Sequence, residues 1–263
     1  MKQHAGRTAN LLVVAMAVGS GAAYAEEDRY FELGVGYEYS SGNYGTASTT
    51  DIVTIPVTAY YETGPWSLKL TVPYLRLTGD GSVVSGGRRA GMHAGTATVS
   101  TTRTTQSGLG DVVMMLTRNL VAGEAGDSGV DLSGRVKFGT ASTALGTGQN
   151  DYAMQLSAYR DFSGFTPGIM FGYEVLGSTT QLPLNNVYYG SVGAGYAFGD
   201  RAGIGAEYKY AQQASASLAE QRQATLYANL QIGAEVYLRG FLQKGYSDGS
   251  PDTGYGLSIA SAF

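Results

Sequence analysis

The chain has 263 residues, with 39 Gly, 20 Tyr and no Cys, and only 14% of its residues are charged. Soluble domains carry about 25% charged residues, so this composition is unusual for a protein surrounded by water. The formal net charge of −4 argues against nucleic-acid binding, which needs a basic surface. The lack of cysteine excludes disulfides, thiol redox chemistry and thiolate metal sites.

The first 25 residues have the layout of a secretory signal peptide. Lys2 and Arg7 supply positive charge, an apolar stretch follows from Leu11, and Ala23-Tyr24-Ala25 offers small residues for cleavage. The apolar stretch is too short to span a membrane. We therefore expect residues 1–25 to be removed on export, which makes the remaining chain two charges more negative.

Apolar and polar residues alternate through the remaining domain, residues 26–263, and no segment there has the periodicity of a helix. Twelve segments alternate in this way, each about as long as a tilted membrane strand. In chain order they are 30–40, 51–62, 65–78, 108–120, 130–141, 149–161, 165–177, 186–199, 201–211, 221–231, 233–246 and 252–263. The pattern predicts an all-β fold, a transmembrane antiparallel up-and-down β-barrel of about 12 strands.

The two faces of the predicted strands differ in chemistry. In the first strand, Phe31, Leu33, Val35 and Tyr37 share one face, while the intervening positions are Glu or Gly. A membrane barrel turns the apolar face to lipid and the polar face to its lumen. A soluble sandwich also alternates, but aromatic residues capping the stripes favour the membrane barrel.

The last predicted strand ends on Phe263 and carries Tyr255, Leu257 and Ile259 on the same face. Such a strand is typical of outer-membrane barrels, in which it closes the sheet against lipid. We therefore expect the protein in the cell outer membrane, in contact with membrane lipid and lipopolysaccharide. We also expect the barrel-assembly machinery to recognise the C-terminal strand that ends in Phe263.

Short and long connections alternate along the chain, and the short turns are expected on the periplasmic side. Segment 79–107 is the longest of the outer connections, and it carries Arg88, Arg89 and Arg103. It is compatible with a constriction folded into the pore, with arginines that meet lipopolysaccharide phosphates, or with an exposed surface loop.

Two prolines fall inside predicted strands. Pro56 and Pro73 lack the N–H that a strand donates, and a closed barrel has no free edge to accommodate them. We expect β-bulges or strand ends at both positions.

Catalytic chemistry has little support in the sequence. The two histidines are His4, within the signal peptide, and His93, within the long connection. Acid–base hydrolysis needs a positioned base, and a histidine metal site needs further ligands. We therefore predict no catalytic residue, no metal and no cofactor.

Charged residues on the polar faces are the best candidates for a site, because a charge facing lipid at mid-membrane would cost about 2–4 kcal/mol. They either line a permeation path and set its selectivity, or pair with one another and fill the barrel. The predicted pore-lining residues are Lys69, Arg135, Lys137, Glu174, Glu207, Lys209, Glu235 and Arg239.

Two glycine-rich motifs carry a resemblance. The first is Ser107-Gly108-Leu109-Gly110-Asp111, and the second is Leu145-Gly146-Thr147-Gly148, followed by Asp151. This pair resembles a family of transporter-like outer-membrane barrels labelled as proteins of the phenol meta-degradation pathway. The family's Pro-Thr-Gly element is altered here to Gly139-Thr140-Ala141. The resemblance implies loop-to-strand corners at Gly108, Gly110 and Asp111, and at Gly146, Gly148 and Asp151.

The sequence predicts a channel or transporter that gives passive passage to small molecules, and the resemblance implies that hydrophobic or aromatic compounds are among them. The alternative is a non-conducting surface barrel that acts as a receptor, an anchor or an envelope-integrity protein. An outer-membrane enzyme is disfavoured because histidine is so scarce.

Overall fold

The structure is a computed structural model that describes residues 29–46, 48–80, 83–86, 89–92, 103–123, 127–180, 183–216 and 218–263. The predicted signal peptide, Arg88 and His93 lie outside the described residues. Across these ranges no helix is long and apolar enough to cross a membrane.

The described residues form fifteen strands. They are β1 (Arg29–Gly42), β2 (Thr50–Thr63), β3 (Trp66–Gly79), β4 (Val83–Gly86), β5 (Arg89–Met92), β6 (Thr104–Leu109), β7 (Val112–Ala122), β8 (Ser128–Phe138), β9 (Asp151–Arg160), β10 (Phe165–Val175), β11 (Val187–Phe198), β12 (Ala202–Ala211), β13 (Gln221–Gln231), β14 (Val236–Gly245) and β15 (Thr253–Ala262).

The sheet closes on itself. Antiparallel pairing links neighbours in chain order from β1 to β3 and again from β7 to β15. β3 pairs with β7, and β15 pairs with β1, which completes the circle. Because β6 and β7 together form one wall position beside β3, the wall has twelve strands. β4 and β5 form a separate hairpin. The predicted all-β, up-and-down barrel is confirmed.

The wall strand made by β6 and β7 contains a bulge. Leu109 pairs with Tyr74 and Val113 pairs with Thr71, so one extra residue lies between the two halves. The Gly110 N–H donates to the Pro73 carbonyl at 2.8 Å within this bulge. The sequence assigned residues 104–107 to the long connection 79–107, and this assignment was wrong because those residues pair with β3.

The two prolines lie opposite each other, Pro56 on β2 and Pro73 on β3, in an unbroken register. The bulge predicted at Pro73 lies in the neighbouring strand, at Gly110. No bulge or strand end occurs at Pro56. Its missing N–H coincides with a lapse in the β1–β2 pairing between Val57 and Thr54, after which the same register resumes.

The outside of the barrel is apolar. Large exposed side chains cover the middle of the wall, among them Val35, Leu70, Leu156, Ile169, Leu226 and Leu257. Aromatic residues form a girdle near each end, one with Trp66, Phe165, Phe198 and Phe263, the other with Tyr74, Tyr152, Tyr188, Tyr210 and Tyr255. A closed barrel with this surface is an outer-membrane barrel, since only lipid accommodates so much exposed apolar area.

The barrel has a turn end and a loop end. The turn end carries the short connections around residues 64, 163, 200 and 233, together with both ends of the paired wall at Arg29 and Phe263. There the Phe263 N–H donates to the Phe31 carbonyl at 2.8 Å, and their ring centroids lie 6.1 Å apart. The loop end carries the longer connections, including residues 139–150 between β8 and β9.

The membrane depth of an outward-facing position should determine how much unfolding free energy is lost when a charged side chain replaces an apolar one there. Leu226, which is 60% exposed in the middle of β13, would face hydrocarbon, so Leu226→Arg should cost about 2–4 kcal/mol of unfolding free energy. Leu230, near the turn end of the same face, should cost about 0–1 kcal/mol for the same change. Urea titrations of each variant in phospholipid vesicles, read through Trp66 fluorescence, measure both values. Equal costs would contradict the proposed membrane depth.

Candidate functional site

The interior of the barrel is densely packed on one side and more open on the other. Every inward position of β8 and β9 is buried, as are all those of β10 except Gly168. Every inward position of β13 and β14, across the barrel, remains partly exposed. The accessible part of the lumen therefore lies beside β13 and β14, which we call the open wall; β8–β10 are the packed wall.

The packed wall contains a buried ion pair on β8 and β10. The Arg135 guanidinium contacts the Glu174 carboxylate, and their side chains are 9% and 5% exposed. Burying two charges is expensive in free energy, and their mutual attraction compensates only while both are present. Because neither side chain is open to the lumen, this pair is part of the packed interior beside β8–β10.

A second buried group lies at the loop end of the packed wall. Lys137 Nζ is 2.8 Å from Asp151 Oδ2 and 3.2 Å from Asp111 Oδ2, and the Lys137 side chain is 1% exposed. The longer contact is an ion pair without hydrogen-bond geometry. We call these three residues the Lys137 cluster. A single cation here holds together carboxylates from the β6–β7 bulge and from the start of β9.

The carboxylates of the Lys137 cluster also bind backbone. The Ala141 N–H donates to Asp111 Oδ1 and the Gly177 N–H donates to Asp151 Oδ1, both at 2.9 Å. Ala141 lies in the 139–150 loop, and Gly177 follows β10. The cluster therefore joins the β6–β7 bulge, β8, the 139–150 loop, the start of β9 and the segment after β10 at the loop end.

The interior at the loop end is apolar beside the Lys137 cluster. Leu145, from the 139–150 loop, packs with residues that point inward from β2 and β3, and we call this group the apolar cluster. Its members are Tyr44, Ile52, Leu75, Leu77, Val83, Ala141 and Leu145. Burial raises the pKa of the Tyr44 hydroxyl, which lies in the β1–β2 loop, consistent with a site poor in water.

Closer to the turn end, the interior holds a third charged group. Arg239 donates to both oxygens of Glu32, at 2.8 and 2.7 Å, and the Tyr30 hydroxyl donates to Glu32 at 2.9 Å. Lys69 and Glu38 are electrostatic neighbours of this group. The Arg239 side chain is 24% exposed, so unlike Arg135 it reaches the accessible lumen.

The open wall is mainly uncharged. Tyr227 lies opposite Phe241, and Asn229 lies opposite Arg239, with the amide of Gln243 donating to Gln223 at 3.2 Å beyond them. These groups offer aromatic surface together with amide and guanidinium hydrogen-bonding groups. The open wall therefore presents both kinds of contact side by side.

The predicted pore-lining residues occupy different environments. Arg135, Lys137, Glu174 and Glu207 face inward but are buried. Lys69, Lys209 and Arg239 face inward and stay partly exposed. Glu235 was predicted to lie within a strand, and this was wrong. It lies in the exposed turn between β13 and β14, where its backbone carbonyl accepts a hydrogen bond from the Ala262 N–H.

The residues of the two glycine motifs meet in one corner. A Cβ on Gly146 would lie 3.1 Å from Asp111 Oδ2, and a Cβ on Gly110 would lie 2.7 Å from the Leu75 side chain. Gly108 in β6 faces Leu145, and Gly148 has a φ of +67°, which favours glycine. The motifs therefore surround the Lys137 cluster, and their two carboxylates, Asp111 and Asp151, both contact the Lys137 ammonium group.

Sequence reasoning missed most of the open wall. Tyr227, Asn229, Tyr237 and Phe241 occupy alternate positions of strands that were predicted correctly. Their period-two spacing is that of the lumen face. Because the candidate site residues were chosen by their charge, these uncharged side chains were not identified as part of a site. Within the described ranges, no group of three or more acidic or histidine side chains is placed to hold a metal.

Solved structures of outer-membrane proteins share this fold. The chain is similar to a COG4313 outer membrane channel from Pseudomonas putida F1, with a TM-score of 0.66 and 14% identity over 94% of this chain and 100% of that one. It is also similar to the NanC porin, with a TM-score of 0.54 and 10% identity over 87% and 98% of the two chains.

The KdgM porin matches with a TM-score of 0.51 and 9% identity, over 88% of this chain and 99% of that chain. At these identities the likeness establishes the fold. No protein-family model and no curated protein sequence matches the chain.

Removing one member of a buried pair should cost far more than removing both. Arg135→Met leaves the Glu174 charge buried alone and should lower the unfolding free energy by about 3–5 kcal/mol. Arg135→Met with Glu174→Gln should recover most of that loss, because no uncompensated charge remains. Urea unfolding in vesicles compares the single and double variants. Equal stability of the two would show that the pair contributes no coupling.

Proposed function

We propose that this protein is a channel of the outer membrane that gives small molecules passive passage. The observation that carries the proposal is the open wall: within a closed barrel, a continuous strip of partly exposed polar and aromatic side chains follows β13 and β14. The fold shared with outer-membrane channels and porins supports a channel and gives no support to an enzyme.

Charged side chains of both signs face the interior of the barrel. Among the described residues, eight acidic side chains face the interior against five basic ones. The acids are Glu32, Glu38, Glu62, Asp111, Asp131, Asp151, Glu174 and Glu207, and the bases are Lys69, Arg135, Lys137, Lys209 and Arg239. Of these, Glu38, Glu62, Lys69, Lys209 and Arg239 are partly exposed, so accessible charges of both signs are available to set ion selectivity.

The permeating molecules should combine an apolar or aromatic face with a hydrogen-bonding edge. Tyr227 and Phe241 supply an aromatic surface on the open wall, and the side chains of Asn229 and Gln243 supply amide groups beside it. The resemblance of the glycine motifs to the phenol meta-degradation family favours the same class of solute.

The orientation follows from the connections. We propose that the turn end faces the periplasm and that the loop end, with its Lys137 cluster, faces the outside and lipopolysaccharide. Residues 1–25 would direct export, and the strand ending in Phe263 would be recognised by the barrel-assembly machinery.

A non-conducting barrel is the second candidate. The paired and buried charges of Arg135 and Lys137 favour it, because they fill the packed wall instead of lining a path. In this case the loops would act as a receptor or an anchor. Planar bilayers discriminate: a non-conducting barrel gives no channel events, and it gives no solute-dependent swelling of liposomes with phenylalanine or arabinose.

Charge changes at lumen positions should shift ion selectivity in opposite directions. Glu38→Gln should lower the cation-to-anion permeability ratio, and Lys69→Gln should raise it, each roughly twofold. Reversal potentials across a KCl gradient in planar bilayers measure both ratios.

The matched control for these changes is Arg118→Gln, which removes an outward-facing cation over the Trp66 ring, 5.2 Å from its centroid, and so should leave selectivity unchanged. Equal shifts in all three variants would contradict the assignment of Lys69 and Glu38 to the path.

A further inference from the structure

We propose that the Lys137 cluster controls a gate at the loop end of the barrel. In the closed state it holds the 139–150 loop inward, so that Leu145 and the apolar cluster narrow the lumen. When the cluster is disrupted, the loop moves outward and the path widens. This inference rests on the proposed channel function.

Both ends of the 139–150 loop depend on the same cation. Near the beginning, the Ala141 N–H donates to Asp111 Oδ1, and directly after the end Asp151 pairs with Lys137. Lys137 Nζ also lies 3.5 Å from the Thr147 hydroxyl within the loop. Neutralising Lys137 would leave two carboxylates buried near each other without a counter-charge, and their hydration would favour movement of the loop.

Outside the Lys137 cluster, the loop is held to the wall near its beginning, where the Thr140 hydroxyl donates to the Gly110 carbonyl at 3.1 Å and accepts from the Val112 N–H at 3.0 Å. Its sequence from Gly139 to Asn150 contains no charged residue and consists mostly of Gly, Ala, Ser and Thr. Leu145 is its one large apolar side chain, and it is 1% exposed among residues of the barrel wall. An apolar constriction impedes water and ions until it is moved, which is how hydrophobic gates act.

The chain offers a matched control on the same strand. Arg135 lies two residues from Lys137, faces the same way and is also buried with a carboxylate. Its partner Glu174 is on β10, so this pair joins two wall strands and includes no residue of the 139–150 loop. Removing this pair tests whether any loss of buried charge loosens the loop.

Thiol labelling can follow the loop directly, because the chain has no native cysteine. Leu145→Cys places a unique thiol in the apolar cluster, and Ala144→Cys places one on the exposed neighbouring position. In refolded protein, a charged maleimide should label Leu145→Cys about tenfold or more slowly than Ala144→Cys. Adding Lys137→Met should bring the two rates within a few-fold of each other.

Two further variants guard against misfolding and general loosening. Asp111→Asn keeps an acceptor for the Ala141 N–H and should give a smaller acceleration in the same direction. Arg135→Met with Glu174→Gln should leave the Leu145→Cys rate unchanged. The proposal is overturned if Lys137→Met leaves labelling slow in a barrel with normal heat-modifiable migration, or if the Arg135 control accelerates it equally.

Single-channel conductance tests the gate itself, and Lys137→Met should raise it. Unchanged conductance in a barrel that conducts would overturn the gate. A barrel that conducts in no variant would overturn the proposed channel function, while the labelling rates would still decide whether Lys137 holds the loop.

Discussion

Every backbone N–H and C=O group that enters hydrocarbon must find a partner within the protein, and the rest of this structure depends on that constraint. Closure of β1 onto β15 removes the free edges of the sheet. Two prolines inside the wall test this requirement. The structure meets it by placing Pro56 opposite Pro73 and by inserting an extra residue at Gly110, whose N–H binds the Pro73 carbonyl.

Closure also makes two chemical environments from one alternating pattern. Outward side chains meet lipid, while inward side chains meet either one another or water. Twelve strands enclose more space than side chains fill evenly. Here the filling is uneven. Charged pairs occupy the packed wall, and Tyr189 of β11 packs against it by donating to Gln155 of β9 at 3.2 Å, while β13 and β14 remain accessible. The bulge beside Pro73 has a further consequence, because it brings Asp111 inward beneath the 139–150 loop, where it meets Lys137.

Much of the fold was predictable, and the site was predictable only in part. Strand 221–231 was predicted to the residue, and most other boundaries fell within about three residues, because period-two alternation is strong wherever one face meets lipid. Residues 104–107 were missed because their polar sequence, Thr-Thr-Gln-Ser, carries no apolar stripe. Arg135 and Arg239 were both identified correctly as inward-facing. The alternating pattern could not distinguish Arg135, which is buried in an ion pair, from Arg239, which reaches the lumen.

The sequence by itself determined which residues face lipid and how many strands form the wall, because alternation is a local property of each strand. Tertiary structure alone decided which charges meet. Asp111 and Asp151 are forty residues apart in the chain and share Lys137 only because the bulge, the start of β9 and the 139–150 loop converge at one end of the barrel. Partnerships of this kind depend on register and curvature, which no single strand encodes.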